Sequence, residues 1–283
     1  MLGIISNLMN DCNKTSAYYW LQLFYLLLFI AGGLTIFGSL SILVGKFCFG
    51  FETNSREYIY IVQTINSFGI FFVPALLFSF YTTRGWYTFS LANKSVSWKL
   101  ICLVVVLSLL LLPVITILGH INEQIALPES MQKIETWMRE MEENSKTVIK
   151  LLTSNSTILL LLLNIFAMAL LPAIFEEFLI RGTIQPFFTK WFANKHIAIL
   201  VMAFIFSAIH MQFYGFIPRF ILGIYLGYLW FWGKSLWLPV IAHFLHNAVS
   251  LILDYAEQQN WLDLDSYLAK FTDLVSRITV ILI

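Results

Sequence analysis

The stretch "AIFEEFLIRG" (173–182) sets two adjacent carboxylates and an arginine at the end of a long apolar run. Two further polar pairs follow on later apolar runs, Phe206-x-x-x-His210 and His243-x-x-x-Asn247. On a helix, Glu177 and Arg181 lie four residues apart on one face and can pair, as structural support or as part of the chemistry. Glu176 is rotated by about 100° from Glu177 and points elsewhere, free to titrate. His243 and Asn247 share a face in the same way. A charged side chain at bilayer depth costs roughly 2.5–3.5 kcal/mol on insertion scales, so each of these groups needs a partner. One shared polar cavity would serve them all.

A carboxylate, histidines and an amide around a water-poor pocket suggest hydrolysis by an activated water. Glu176 is the candidate general base, with His210 helping to hold the water. Asn247 and His243 can donate to a tetrahedral oxyanion. No serine or cysteine sits in these clusters as a nucleophile, which disfavours an acyl-enzyme. Zinc is the chemical neighbour of this idea: Glu176, His210 and His243 could supply three ligands and leave a position open, although the H-E-x-x-H helix is absent. The expectation favours no cofactor. Asn247 is an unusual zinc ligand, and a metal would occupy the proposed base itself.

The elements that must position these residues are membrane helices. The chain has 283 residues, 59% hydrophobic and only 12% charged, where a soluble chain is about a quarter charged. A net charge of +1 with no Lys/Arg cluster gives no reason to expect nucleic acid. Apolar segments near the spanning length of about 20 residues recur at 17–45, 58–81, 98–119, 157–180, 196–213, 217–233 and 236–254. The expected fold is all-α, a polytopic transmembrane bundle of about seven to eight spanning helices. Gly32, Gly33 and Gly38 in the first span, and Gly223-x-x-x-Gly227 in a later one, would allow close helix packing. Pro172 would bend or restart its helix.

Residues 120–155 break the apolar pattern. Met131, Ile134, Trp137, Met138 and Met141 recur at helical spacing, which predicts an amphipathic helix, either lying on the membrane face or serving as a plain linker. The organisation read from this pattern is 1–119 N-terminal spans, 120–155 amphipathic segment, 156–254 helical core and 255–283 amphipathic tail. Loops at 82–98 (Arg84, Lys94) and 181–195 (Arg181, Lys190, Lys195) carry the basic charge, which places both, and the N-terminus, in the cytoplasm. Cys12, Cys48 and Cys102 form no framework, and Cys102 reads as a buried apolar residue. His196 and His246 read as interfacial or packing residues, and Phe206 as core.

In order and spacing, the Glu176-Glu177-x-x-x-Arg181, Phe206-x-x-x-His210 and His243-x-x-x-Asn247 motifs resemble those of the CAAX prenyl protease and bacteriocin-processing (CPBP) family of intramembrane proteases. The resemblance covers about residues 155–254. It implies that Glu176 activates water with His210 as its partner, that His243 and Asn247 form the oxyanion side, and that Glu177, Arg181 and Phe206 support them. Members of that family are described both as metalloproteases and as metal-free glutamate enzymes. The implied substrate is a membrane-embedded or prenylated peptide or protein in a lipid environment. The absence of a signal peptide and the compact loops fit a bacterial inner membrane.

Two other classes compete. A non-catalytic membrane partner or immunity factor has no reason to bury Glu176 unpaired. A proton-coupled transporter would string polar residues across the bilayer, whereas here they gather in the C-terminal half. One geometric tension accompanies the protease reading. His210 falls late in its span and His243 early in a parallel one, so the two meet only if the helices are offset in depth or the first is extended.

Overall fold

The structure, a computed structural model, describes residues 16–83, 91–154 and 157–263. Cys12, Arg84 and residues 264–283 of the expected tail lie outside the described residues. The helices are α1 (Ser16–Cys48), α2 (Arg56–Thr82), α3 (Trp98–Glu123), α4 (Gln132–Thr153), α5 (Ile158–Phe192), α6 (Lys195–Ala208), α7 (Phe216–Gly233) and α8 (Trp237–Gln258). No strand occurs among the described residues. All but α4 and α6 are long and apolar enough to cross a membrane, six in total. The protein is an integral membrane protein with an all-α fold.

Side-chain caps start several helices where the sequence supplies them. Ser55, Ser97, Thr157 and Asn194 each accept from a backbone N–H in the first turn, which satisfies donors the helix leaves orphaned. Large apolar side chains on α1 and α3, among them Phe24, Leu27, Leu103 and Leu110, face outward, as lipid-facing surface does. Cys102 is one of these exposed residues, against the expectation of burial, because α3 presents that face away from the bundle. The core gathers Phe78, Phe178, Ile180, Met202, Phe206 and Leu236.

Two expected boundaries move. The 181–195 segment is helix as far as Phe192 and not a loop. Arg181 therefore lies in the core, fully buried, and the charge count that oriented the chain loses it. The reversal narrows to Ala193, left-handed at φ 52°, and the Asn194 cap. Helix α6 then has only 14 residues, about 21 Å at 1.5 Å per residue, too short for a hydrocarbon core of about 30 Å. It ends at Ala208, just before His210.

The small residues act selectively. A Cβ on Gly33 would meet the Gly69 carbonyl, whereas Gly32 and Gly38 face open space. On α7, a Cβ on Gly223 would come to 3.0 Å from the Cα and Cβ of Ala203, and one on Gly227 to 2.9 Å from the Ile199 side chain. The two carbonyls of this glycine pair accept from α5, Gly223 from Arg181 and Gly227 from Gln185. The pair thus seals α7 against α6 and ties both to α5. Gly223→Val is expected to destabilise the protein by about 1–3 kcal/mol, since backbone cannot yield as a side-chain tip would. Thermal unfolding in detergent reads this, and an unchanged midpoint would mean the α6–α7 contact is looser than described.

Helix α4 is amphipathic as expected, and it docks on the protein. The Arg56 guanidinium donates to the Leu151 carbonyl at 2.7 Å and to the Ser154 carbonyl, capping its C-terminal end. Trp137 packs on Phe213 with ring centroids 5.1 Å apart, and the Arg139 guanidinium lies 4.7 Å from the Tyr214 ring centre. Arg139 also holds the Glu135 carboxyl below its ordinary range through a hydrogen bond.

Candidate active site

Helix α5 carries the two carboxylates on a segment set off by π turns at Ile165–Leu170 and Ile180–Ile184. Pro172 follows the first turn, at the start of the α-helical segment Leu171–Leu179, so the helix resumes without a full break. Glu177 points inward and is fully buried. Its Oε1 accepts from Arg181 Nη1 at 2.7 Å and from His243 Nδ1 at 2.9 Å. Arg181 Nη2 donates to the Gly223 carbonyl at 3.0 Å. The Glu177–Arg181 pairing is the expected one. The third member, His243, is an addition that spacing within one helix cannot reveal.

Phe206 stands at the centre of this cluster. Its ring lies 4.7 Å beneath the Arg181 guanidinium, a cation–π contact. It also meets the His210 and His243 rings edge-on at 5.1 and 5.7 Å. Its carbonyl accepts from His210 Nδ1 at 2.7 Å. A carbonyl can only accept, so Nδ1 carries the proton and His210 Nε2 presents a lone pair. That lone pair faces Glu176 Oε2 at 3.9 Å. The distance exceeds a hydrogen bond and leaves room for a bridging water. Glu176 Oε2 is buried and has no other partner among the described residues.

A cavity of about 570 Å³ opens at this point, lined by Glu176, His210, His243 and Asn247. Glu177 and Arg181 sit behind it. The structure offsets the helices: α5 runs on to Phe192 before α6 begins, and both His210 and His243 pack on the Phe206 ring. Ser207, the serine nearest His210, donates to the Phe216 carbonyl at 2.7 Å and is buried. Among the described residues, no group of three or more His, Cys, Asp or Glu side chains is arranged to hold a metal.

The loop after α6 is held from outside the motifs. Asn122, at the end of α3 and buried, donates to the Phe213 carbonyl at 2.9 Å and accepts from the Ile217 N–H at 3.1 Å. Met211 is left-handed at φ 56°, which turns the chain directly after His210. Helix α4 covers this loop, and a second cavity lined by Met141, Val148, Ile149 and Met211 shares His210 with the first.

Sequence reasoning missed several cavity residues. Gln63 on α2 and Arg219 on α7 line the cavity. His246 does too, and its Nδ1 has no hydrogen-bond partner among the described residues. The signal for Arg219 was available: it is a cation inside an apolar span, as unexplained there as Glu176. His196 is exposed and hydrogen-bonds the Tyr228 hydroxyl at 2.7 Å.

Residues 158–249 match the family model described as Type II CAAX prenyl endopeptidase Rce1-like. That segment is a domain of the CAAX prenyl protease family. The protease domain runs from the start of α5 to the middle of α8 and includes every motif residue named above. The likeness of this segment, together with the membrane-spanning helices, supports a membrane protease. No curated protein and no solved structure matches the chain.

Proposed function

We propose that this protein is a glutamate-type intramembrane endopeptidase that hydrolyses a peptide bond of a membrane-associated or lipidated substrate. The observation that carries this reading is the facing pair Glu176 Oε2 and His210 Nε2, 3.9 Å apart at a cavity that also exposes Asn247. Water bound between them gives its proton to Glu176 and attacks the scissile carbonyl carbon. The oxygen of that carbonyl becomes an oxyanion, which accepts from the Asn247 amide and His243. Glu176 then passes the proton to the leaving nitrogen as the C–N bond breaks.

His243 donates Nδ1–H to Glu177, so it can also donate from Nε2 only as an imidazolium. Glu177 and Arg181 act through His243, fixing its orientation.

A metal-free mechanism needs one base and fixed donors for the oxyanion, and the facing Glu176 and His210 side chains support it. Chelator-washed protein is therefore expected to keep its rate within about a factor of two of the untreated protein. A loss reversed by added zinc would overturn the metal-free mechanism.

The activity itself is tested on a farnesylated peptide ending Cys-aliphatic-aliphatic-X, with purified protein and mass spectrometry. Release of the three C-terminal residues is the expected result. An intact farnesylated peptide, beside cleavage of its unprenylated counterpart or of neither, would contradict the reading.

A further inference from the structure

Arg219 lies in the first turn of α7 and lines the same cavity as Glu176, His210 and Asn247. Its guanidinium is fixed in place. Nη1 donates to the Gln212 carbonyl at 3.3 Å and Nη2 to Gln212 Oε1 at 2.7 Å. The group rests over Gly215, where a Cβ would come within 2.7 Å of Nη2 and the guanidinium would have to shift. Both partners on Gln212 are neutral oxygens. No carboxylate lies within ion-pair distance of Arg219 among the described residues. Gln212 occupies two of the five N–H groups a guanidinium carries.

A permanently charged fork, held at a cavity between apolar helices with no carboxylate in ion-pair contact, is complementary to a planar anion. We propose that Arg219 is the anion subsite of this cavity and binds the free C-terminal carboxylate of the peptide substrate. The inference rests on the peptide substrate of the proposed function. About 570 Å³ is the size of a small-ligand pocket, which suits a short chain end better than a chain running through. The subsite is joined to the reaction by a short path. Gln212, which holds Arg219, is two residues after His210, across the left-handed Met211. Filling the subsite steadies the loop that aims His210.

The test is a binding measurement in Glu176→Gln protein, so that hydrolysis does not enter the result. Two farnesylated peptides are compared by fluorescence anisotropy, one with a free C-terminal carboxylate and one with a C-terminal amide. The acid is expected to bind roughly 10–100-fold more tightly, the range of a charge-assisted pair. Adding Arg219→Gln should bring the ratio close to one, and Arg219→Lys, which keeps the charge but not the fork, should restore part of it. A third peptide, amidated but with a glutamate as its last residue, separates a chain-end carboxylate from a side-chain one. Equal binding of acid and amide, preference for the glutamate amide over the acid, a ratio that survives Arg219→Gln, or no binding of any peptide would each overturn the proposal. Failure of the proposed hydrolysis would appear separately, as an intact peptide with the wild-type enzyme. Thermal unfolding of each variant confirms that the compared proteins are folded.

Discussion

Glu176→Gln is expected to lower the rate of peptide hydrolysis by roughly 10²–10⁴-fold while insertion and folding are retained. Glutamine has the shape of glutamate but cannot take a proton at the pH of the reaction. Glu176 stands apart from the buried Arg181–Glu177–His243 group, and its Oε2 has no partner to lose among the described residues. The substitution therefore orphans no buried donor, and it removes a charge from an apolar setting. Single-turnover hydrolysis beside thermal unfolding separates the two effects. Cleavage at a near wild-type rate would remove Glu176 from the chemistry.

Arg181→Ala is expected to act the opposite way, on stability first. The guanidinium is fully buried, bonded to Glu177 and the Gly223 carbonyl, and stacked over Phe206. Removing it leaves the Glu177 carboxylate buried with His243 alone, takes a donor from the Gly223 carbonyl and opens a gap over Phe206. Breaking one side of a buried pair costs roughly 3–5 kcal/mol, and here the cavity adds to it. Loss of the folded protein or a large fall in its unfolding midpoint is the expected outcome. Arg181→Lys should be milder but still impaired, because an ammonium cannot reach two acceptors with the geometry of a fork. An unchanged midpoint in the alanine variant would show that the pairing contributes nothing.

Much of this site was legible in the sequence because the membrane makes polar residues expensive. Glu176, Glu177, Arg181, His210, His243 and Asn247 stand out against apolar runs, and four-residue spacing gave the Glu177–Arg181 pair its correct partner. Contacts between helices were not legible. The bond from His243 to Glu177 joins residues 66 apart, and no local rule selects it over a partner elsewhere. The depth of His210 depended on where α5 stopped, and hydropathy alone placed that end too early. Arg181 looked like a loop cation because its burial is supplied by α7 and Phe206, which arrive later in the chain. His246 and Arg219 were passed over as ordinary helix residues, since each faces the cavity through a rotation that only the packed bundle fixes. Helix α4 was legible as amphipathic, but its docking partners Phe213, Tyr214 and Arg56 were not.

The central claim is that water, and no metal, occupies the gap between Glu176 and His210. Crystals of active wild-type protein, measured at the zinc absorption edge, test it directly. A peak of water strength within about 2.6–3.2 Å of both Glu176 Oε2 and His210 Nε2, the range of a hydrogen bond, with no anomalous signal is the expected result. An anomalous peak about 2.0–2.2 Å from both side chains, the distance of zinc to nitrogen and oxygen ligands, would contradict it.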